Sequence, residues 1–195
     1  INNKPINLNK LLNTIKYNYS LIVIPDFLFE NIKFENNNYT KIEVEEEMVL
    51  DINSRWNVLE DYMSDLKKKY RYKVKRIIRE ASVLEIRNLD SDDLEKYALD
   101  IKKLFIQVVK SSQFKGPVFN TSSFTLFINQ GFMQVDGYFL YNKLVGFSSE
   151  MQQKKDLYSY YVGFDKYLNN SLPIYGRIII ENIKNAIHQI GRAHV

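Results

Sequence analysis

Three strand-like stretches follow one another in the second half of the chain, and they constrain the fold more than any other feature. Apolar and aromatic residues are frequent in Phe132–Tyr141, Leu144–Gln152 and Leu157–Phe164, which is typical of β-strands. Only Asn142-Lys143 and residues 154–156 separate these stretches, and connections this short join neighbouring antiparallel strands. The sequence therefore predicts a three-stranded antiparallel meander.

Helical patterns surround this meander. Apolar residues recur every three or four positions over about 54–80 and 172–190, and each stretch predicts one amphipathic helix. Ser91 with the acidic residues that follow it is a good N-cap and predicts one further helix to about Lys110. A further strand is expected at Ser82–Arg87 and a short helix before Gly131. This order predicts an α/β (α+β) protein with a mixed, mostly antiparallel sheet flanked by helices.

Positive charge is concentrated in one segment. The chain has a net charge of +4, and residues 67–80 contain eight Lys or Arg residues against a single Glu. This segment can bind a polyanion such as tRNA, or it can be an ordinary solvated helix face or pair with the acidic run Glu45–Glu47. Tyr70 lies among the cations but is expected to pack with the apolar stripe. Four cations recur at intervals of four along one face of the expected helix: Lys67, Arg71, Lys75 and Arg79.

The composition excludes several kinds of chemistry. The 195-residue chain has no cysteine and two histidines, which excludes disulfides and thiolate metal sites and leaves too few ligands for a structural zinc site. No apolar stretch is long enough for a transmembrane helix, and no secretory leader is visible, so a cytoplasmic protein is expected. No Ser-His-Asp triad, Walker-type phosphate loop or metal site is indicated.

Two segments, together with the order of the elements, resemble a known superfamily. Trp56–Arg79 places a Trp and a basic helix ahead of the first strand, and Tyr158–Tyr175, YSYYVGFDKYLNNSLPIY, leads into the last amphipathic helix. Together they resemble the GNAT superfamily of N-acyltransferases, and within it the Fem-like branch, whose members carry two GNAT-type lobes in one chain.

The resemblance also implies a division of the chain. Residues 1–50 are expected to be the remnant of a preceding lobe, residues 51–81 a long basic linking helix, and residues 82–195 a partial GNAT-like domain that is incomplete at its C-terminus. The last residues, 190–195 (IGRAHV), are expected to derive from a sequencing adapter.

The activity that this resemblance implies is transfer of an acyl group from acyl-CoA, with acetyl-CoA as the expected donor, to a small-molecule amine. One alternative is a Fem-type peptidoglycan aminoacyltransferase that uses aminoacyl-tRNA. A second alternative is a non-catalytic GNAT-like module that binds an anionic ligand or partner.

The resemblance places backbone contacts to the donor at Val162 and Gly163, which are expected to end the central strand. On this assignment, Gly163→Trp should abolish donor binding without unfolding the domain. The residues alone offer another interpretation, because a glycine within a strand indicates a bulge or a close backbone approach.

A candidate anion site precedes the last helix. Asn170, Ser171 and Leu172 lie where free N–H groups and the helix dipole favour phosphate, although Ser171 can equally be a plain N-cap. The stretch Lys166–Gly176 lacks the paired glycines of ordinary GNAT phosphate loops, which favours the non-catalytic alternative.

Glu150 is the candidate catalytic residue. It is expected to share a face of its strand with Leu144, Gly146 and Ser148. A carboxylate there can remove the proton of the attacking amine if its surroundings raise its pKa. The alternative is a solvated or salt-bridged strand residue.

Overall fold

The computed structural model describes residues 48–111, 118–153 and 155–190. Within these ranges the strands form one sheet in the order β1-β2-β3-β4, and all neighbouring pairs are antiparallel. The predicted meander and the predicted fold class are therefore confirmed. The expectations for residues 1–47, which include the acidic run, and for residues 191–195 lie outside the described residues. The strands are β1 (Glu85–Asn88), β2 (Gln134–Leu140), β3 (Lys143–Gln153) and β4 (Asp156–Phe164).

The β2–β3 turn consists of Tyr141 and Asn142, one residue earlier than the sequence predicts. Both residues have positive φ angles, 49° and 62°. Two successive residues with positive φ form the turn whose twist matches that of the flanking strands. A two-residue turn of this type therefore requires a left-handed conformation of Tyr141, which a tyrosine rarely adopts.

The helices flank both faces of the sheet and belong to a compact unit that starts at Leu50. The helix expected over residues 91–110 is interrupted at Tyr97, whose N–H bonds back to the carbonyl of Asp93 at 2.8 Å. The helices are α1 (Leu59–Asp65), α2 (Lys68–Glu80), α3 (Ser91–Lys96), α4 (Ala98–Ser111), α5 (Phe124–Asn129) and α6 (Ile174–Ile190).

The prediction of a single helix over residues 54–80 is wrong, because α1 and α2 are separated at Leu66 and Lys67. Both residues are extended, with ψ angles of 143° and 145°. The side chain of Arg71 folds back and donates to the carbonyl oxygens of Met63, Ser64 and Leu66 at 2.9, 2.7 and 2.9 Å. Carbonyls at the end of a helix lack the hydrogen bonds of the helix interior, and among the described hydrogen bonds only that of Met63 has a backbone partner here, the N–H of Leu66 at 3.3 Å. The bonds from Arg71 therefore stabilise the break.

Each face of the sheet has its own apolar core. Helices α3, α4 and α5 cover one face, around Phe105, Phe124 and Phe147. Helix α6 covers the other face, around Tyr138 and Ile178. Helix α2 contacts the start of α6 and therefore lies on that second side.

Candidate functional site

The edge of the sheet at β4 is where the candidate donor contacts lie. Among the described residues, β4 pairs with β3 alone. The N–H of Asp165 donates to the carbonyl of Val145 at 2.9 Å, which makes these two residues a hydrogen-bonded pair. Because such pairs alternate along an antiparallel ladder, Gly163 directs its backbone groups toward β3, whereas Val162 and Phe164 direct theirs away from the sheet.

A β-bulge interrupts β4 just before Val162. The register shifts by one residue, so that Tyr160 and Tyr161 lie opposite the single residue Ser149. The hydroxyl of Ser149 accepts a hydrogen bond from the N–H of Tyr161 at 2.8 Å and donates to the carbonyl of Tyr161 at 3.2 Å. The bulge thus lies two residues before Gly163, and no glycine or other sequence signal indicates it.

Gly163 is explained by close packing of helix α4 against β4. A Cβ atom at Gly163 would lie 2.7 Å from the backbone N of Phe105 and 2.9 Å from the backbone carbon of Leu104, and it would also overlap the ring of Phe147. The close-approach interpretation of this glycine is therefore correct. A donor contact at Gly163 stays a prediction.

The turn that holds the candidate anion site already uses its own backbone donors. The N–H of Asn170 donates to the carbonyl of Tyr167 at 3.3 Å, and those of Ser171 and Leu172 donate to the carbonyl of Leu168 at 3.0 and 2.9 Å. The side chain of Leu172 is 8% exposed and packs in the core beneath α6. An anion at this turn would therefore contact the exposed side chains of Asn170 and Ser171.

The capping residue of α6 differs from the expected one. Ser171 donates its hydroxyl to the carbonyl of Leu168 at 3.1 Å and does not cap the helix. The side chain of Asn169 accepts from the N–H of Tyr175 at 2.9 Å instead. Both residue types are good caps, and the preceding helical turn brings Asn169 rather than Ser171 over the helix end.

Glu150 is buried between the sheet and α6, with 3% of its surface exposed. Asn185 donates to its Oε2 at 3.0 Å. Asn182, with its amide turned so that both of its polar atoms are satisfied, donates to its Oε1 at 3.1 Å. Burial raises the pKa of Glu150 to about 7, the bond from Asn185 opposes this rise, and the negative charges of Asp136 and Glu181 add to it.

This pKa suits a general base at neutral pH, but both carboxyl oxygens of Glu150 are bonded to α6. General-base catalysis by Glu150 therefore stays a prediction.

The residues expected to share a face of β3 with Glu150 are correct except Leu144. An irregularity between Tyr138 and Phe139 shifts the register of β2 and β3, and Leu144 packs in the opposite core with Phe147.

The predicted cationic line on α2 is only partly exposed to solvent. Lys67, Lys75 and Arg79 are exposed, whereas Arg71 is half-buried against the end of α1. The expected packing of Tyr70 is wrong, since 53% of its surface is exposed.

A broader basic surface replaces that line. Tyr72 is 66% exposed and lies near the middle of this surface, because residues 68, 72, 75 and 79 share one side of a helix. Six exposed cations belong to this surface, and together with Tyr72 we call them the α2 cationic surface: Lys68, Lys69, Lys73, Lys75, Arg76 and Arg79. Among the described contacts, Arg76 is the one of these six cations that has an ion pair, with Glu80 at 3.9 Å.

The described residues show no group of three or more His, Cys, Asp or Glu side chains that could hold a metal ion. None of the helices in the described ranges is long and apolar enough to cross a membrane.

Comparisons with known proteins gave limited similarity. No family model and no curated protein matches the chain. An aminoglycoside acetyltransferase from an uncultured soil metagenomic sample, in complex with sisomicin, is 21% identical over 53% of this chain and 73% of its own, with a TM-score of 0.35. The same enzyme in complex with trehalose gives 21% identity over 52% and 72%, with a TM-score of 0.34. A conserved protein of unknown function from Bacteroides thetaiotaomicron is 14% identical over 67% of this chain and 46% of its own, with a TM-score of 0.47.

Proposed function

We propose that this chain carries an N-acyltransferase domain that moves an acyl group from acyl-CoA, with acetyl-CoA as the donor tested first, to an amine. The observation that carries the proposal is the edge of β4, where the backbone groups of Val162 and Phe164 face away from the sheet. Backbone N–H and C=O groups of this kind match the amides of pantetheine and the carbonyl of a thioester. The GNAT-like order of strands and helices supports the same function.

In the proposed reaction, the amine nitrogen attacks the thioester carbonyl carbon and forms a C–N bond. The C–S bond then breaks, the sulfur leaves as a thiolate that takes up a proton, and the nitrogen loses a proton to a base. The products are an amide and free CoA. The outward N–H of Val162 is positioned to stabilise the negative oxygen of the tetrahedral intermediate, and one such donor typically contributes a factor of about 10²–10³ in rate.

The turn before α6 fits the phosphates of the donor less directly. Because the N–H groups of residues 170–172 are already bonded, the proposal assigns phosphate contact to the side chains of Asn170 and Ser171. Leu172 supports this turn through its packing in the core.

The direct test is release of CoA thiol from acetyl-CoA by the 195-residue chain. The amine panel should include a polyamine, an aminoglycoside and a lysine-containing peptide. We expect thiol release that depends on at least one amine. Binding of acetyl-CoA that is undetectable up to millimolar concentration would contradict the proposal.

The α2 cationic surface favours a second candidate, an aminoacyltransferase that uses aminoacyl-tRNA. Exposed cations around an exposed tyrosine suit contacts to phosphates and to an unstacked base. In this case tRNA binding should weaken steeply with salt, and Lys68→Ala, Lys75→Ala and Arg79→Ala together should lower affinity at least about tenfold at low salt. The matched control removes three exposed lysines of α4, with Lys102→Ala, Lys103→Ala and Lys110→Ala together. Equal losses in both variants would contradict a role for this surface.

A further inference from the structure

Ser149 is a completely buried polar residue on β3, and its surroundings are unusual for a serine in a strand. Its exposed fraction is 0%. Its hydroxyl bonds to both backbone groups of one residue, Tyr161, as acceptor at 2.8 Å and as donor at 3.2 Å. The side chain thus takes a place in the β3–β4 ladder that a main-chain group ordinarily holds.

The position of these bonds matters because Tyr161 belongs to the bulge and directly precedes Val162. A bulged strand has an extra residue whose backbone is left without a ladder partner. By pairing with the N–H and the C=O of Tyr161, the Ser149 hydroxyl keeps both of these backbone groups turned toward β3. The next residue, Val162, then directs its own groups outward, as alternation along a strand requires.

We propose that Ser149 is a positioning residue that sets the orientation of the Val162 backbone for acyl-donor binding. This inference rests on the proposed function, since the outward N–H of Val162 is the donor contact assigned there. Ser149 acts through the backbone of β4 and does not itself contact the donor.

The neighbouring Ser148 provides a matched control. It is 1% exposed, so both serines are buried to the same degree. Its hydroxyl lies 3.3 Å from that of Tyr138, on the α6 side of the sheet. Ser148 lies opposite Val162 in the register, but its hydroxyl makes no hydrogen bond to β4 among the described hydrogen bonds. Removal of either hydroxyl leaves a comparable hole in β3 and breaks side-chain hydrogen bonding, but only one change affects the backbone of Tyr161.

The experiment measures the Kd of acetyl-CoA by calorimetry for wild type, Ser149→Ala and Ser148→Ala, with unfolding followed by circular dichroism. We expect Ser149→Ala to weaken binding about tenfold, the effect of one hydrogen bond, and Ser148→Ala to stay within about twofold of wild type. Ser149→Cys keeps the shape of the side chain, with a larger atom that is a weaker hydrogen-bonding group, and should bind with intermediate affinity. If Ser149→Ala does not fold, the Cys variant serves the same comparison.

Wild-type affinity in both Ser149 variants would overturn the positioning role and leave the proposed function intact. A loss of affinity in Ser148→Ala equal to that in Ser149→Ala would have the same consequence. A wild-type chain that does not bind acetyl-CoA would overturn the proposed function, and the positioning role would fall with it. The two failures are therefore distinguishable from the wild-type titration alone.

Discussion

Gly163→Ala is expected to lower the free energy of unfolding by about 3 kcal/mol, the upper part of the usual range for an overpacked core. The added methyl group would lie 2.7 and 2.9 Å from backbone atoms of helix α4, at Phe105 and Leu104. Backbone atoms cannot rotate away as a side chain can, so relief requires that α4 and β4 separate. Urea unfolding of both proteins measures the difference.

Gly131→Ala is the control for this prediction. Gly131 has a φ of +69°, and nothing lies within 4 Å of the position of its Cβ. The substitution there should cost only the backbone strain, about 1 kcal/mol. Equal losses of unfolding free energy at both glycines would show that α4 lies farther from β4 than these distances indicate. The sequence-based expectation that Gly163→Trp leaves the domain folded is wrong for the same steric reason.

Glu150→Gln is expected to change the dependence of stability on pH. In the unfolded chain the carboxyl ionises near its ordinary pKa of 4.5, whereas in the folded protein it keeps its proton up to a pKa of about 7. Between these values the folded state binds more protons, so stability falls as pH rises. The loss is about 3 kcal/mol across this window, at about 1.4 kcal/mol for each pH unit, and it persists above pH 7.

The glutamine variant removes the charge and keeps a group that can bond to Asn185 and Asn182. Its free energy of unfolding should therefore be close to that of wild type near pH 4.5 and higher by up to about 3 kcal/mol at pH 8. Glu95→Gln, at an exposed position on α3, is the control for a change of net charge. Parallel unfolding profiles of wild type and Glu150→Gln from pH 5 to pH 8 would contradict a raised pKa of this buried carboxyl.

The sheet could be predicted from the sequence because its determinants are local. Runs of apolar and aromatic residues mark each strand, and two-residue connections such as Tyr141-Asn142 leave only an antiparallel arrangement. The break between α1 and α2 could not be predicted in this way. It depends on the side chain of Arg71 reaching carbonyls up to eight residues earlier, and periodicity contains no information on such a contact.

The candidate site was harder to predict, because it depends on which element covers which face. The resemblance places Val162 on a central strand, whereas among the described residues β4 is an edge strand. The sequence pattern also does not show that Ser149 fills a bulge beside Val162. Glu150 was singled out as a strand carboxylate. Its burial results from α6, whose asparagines lie more than 30 positions away in the sequence.

The most direct test of the central claim is amide hydrogen exchange of the chain with and without acetyl-CoA, resolved to single residues in β4. We expect slower exchange on binding at Val162 and Phe164, whose N–H groups face outward. Little change is expected at Gly163, whose N–H already faces β3. Protection confined to other elements, or none at all in β4, would contradict donor binding at this edge.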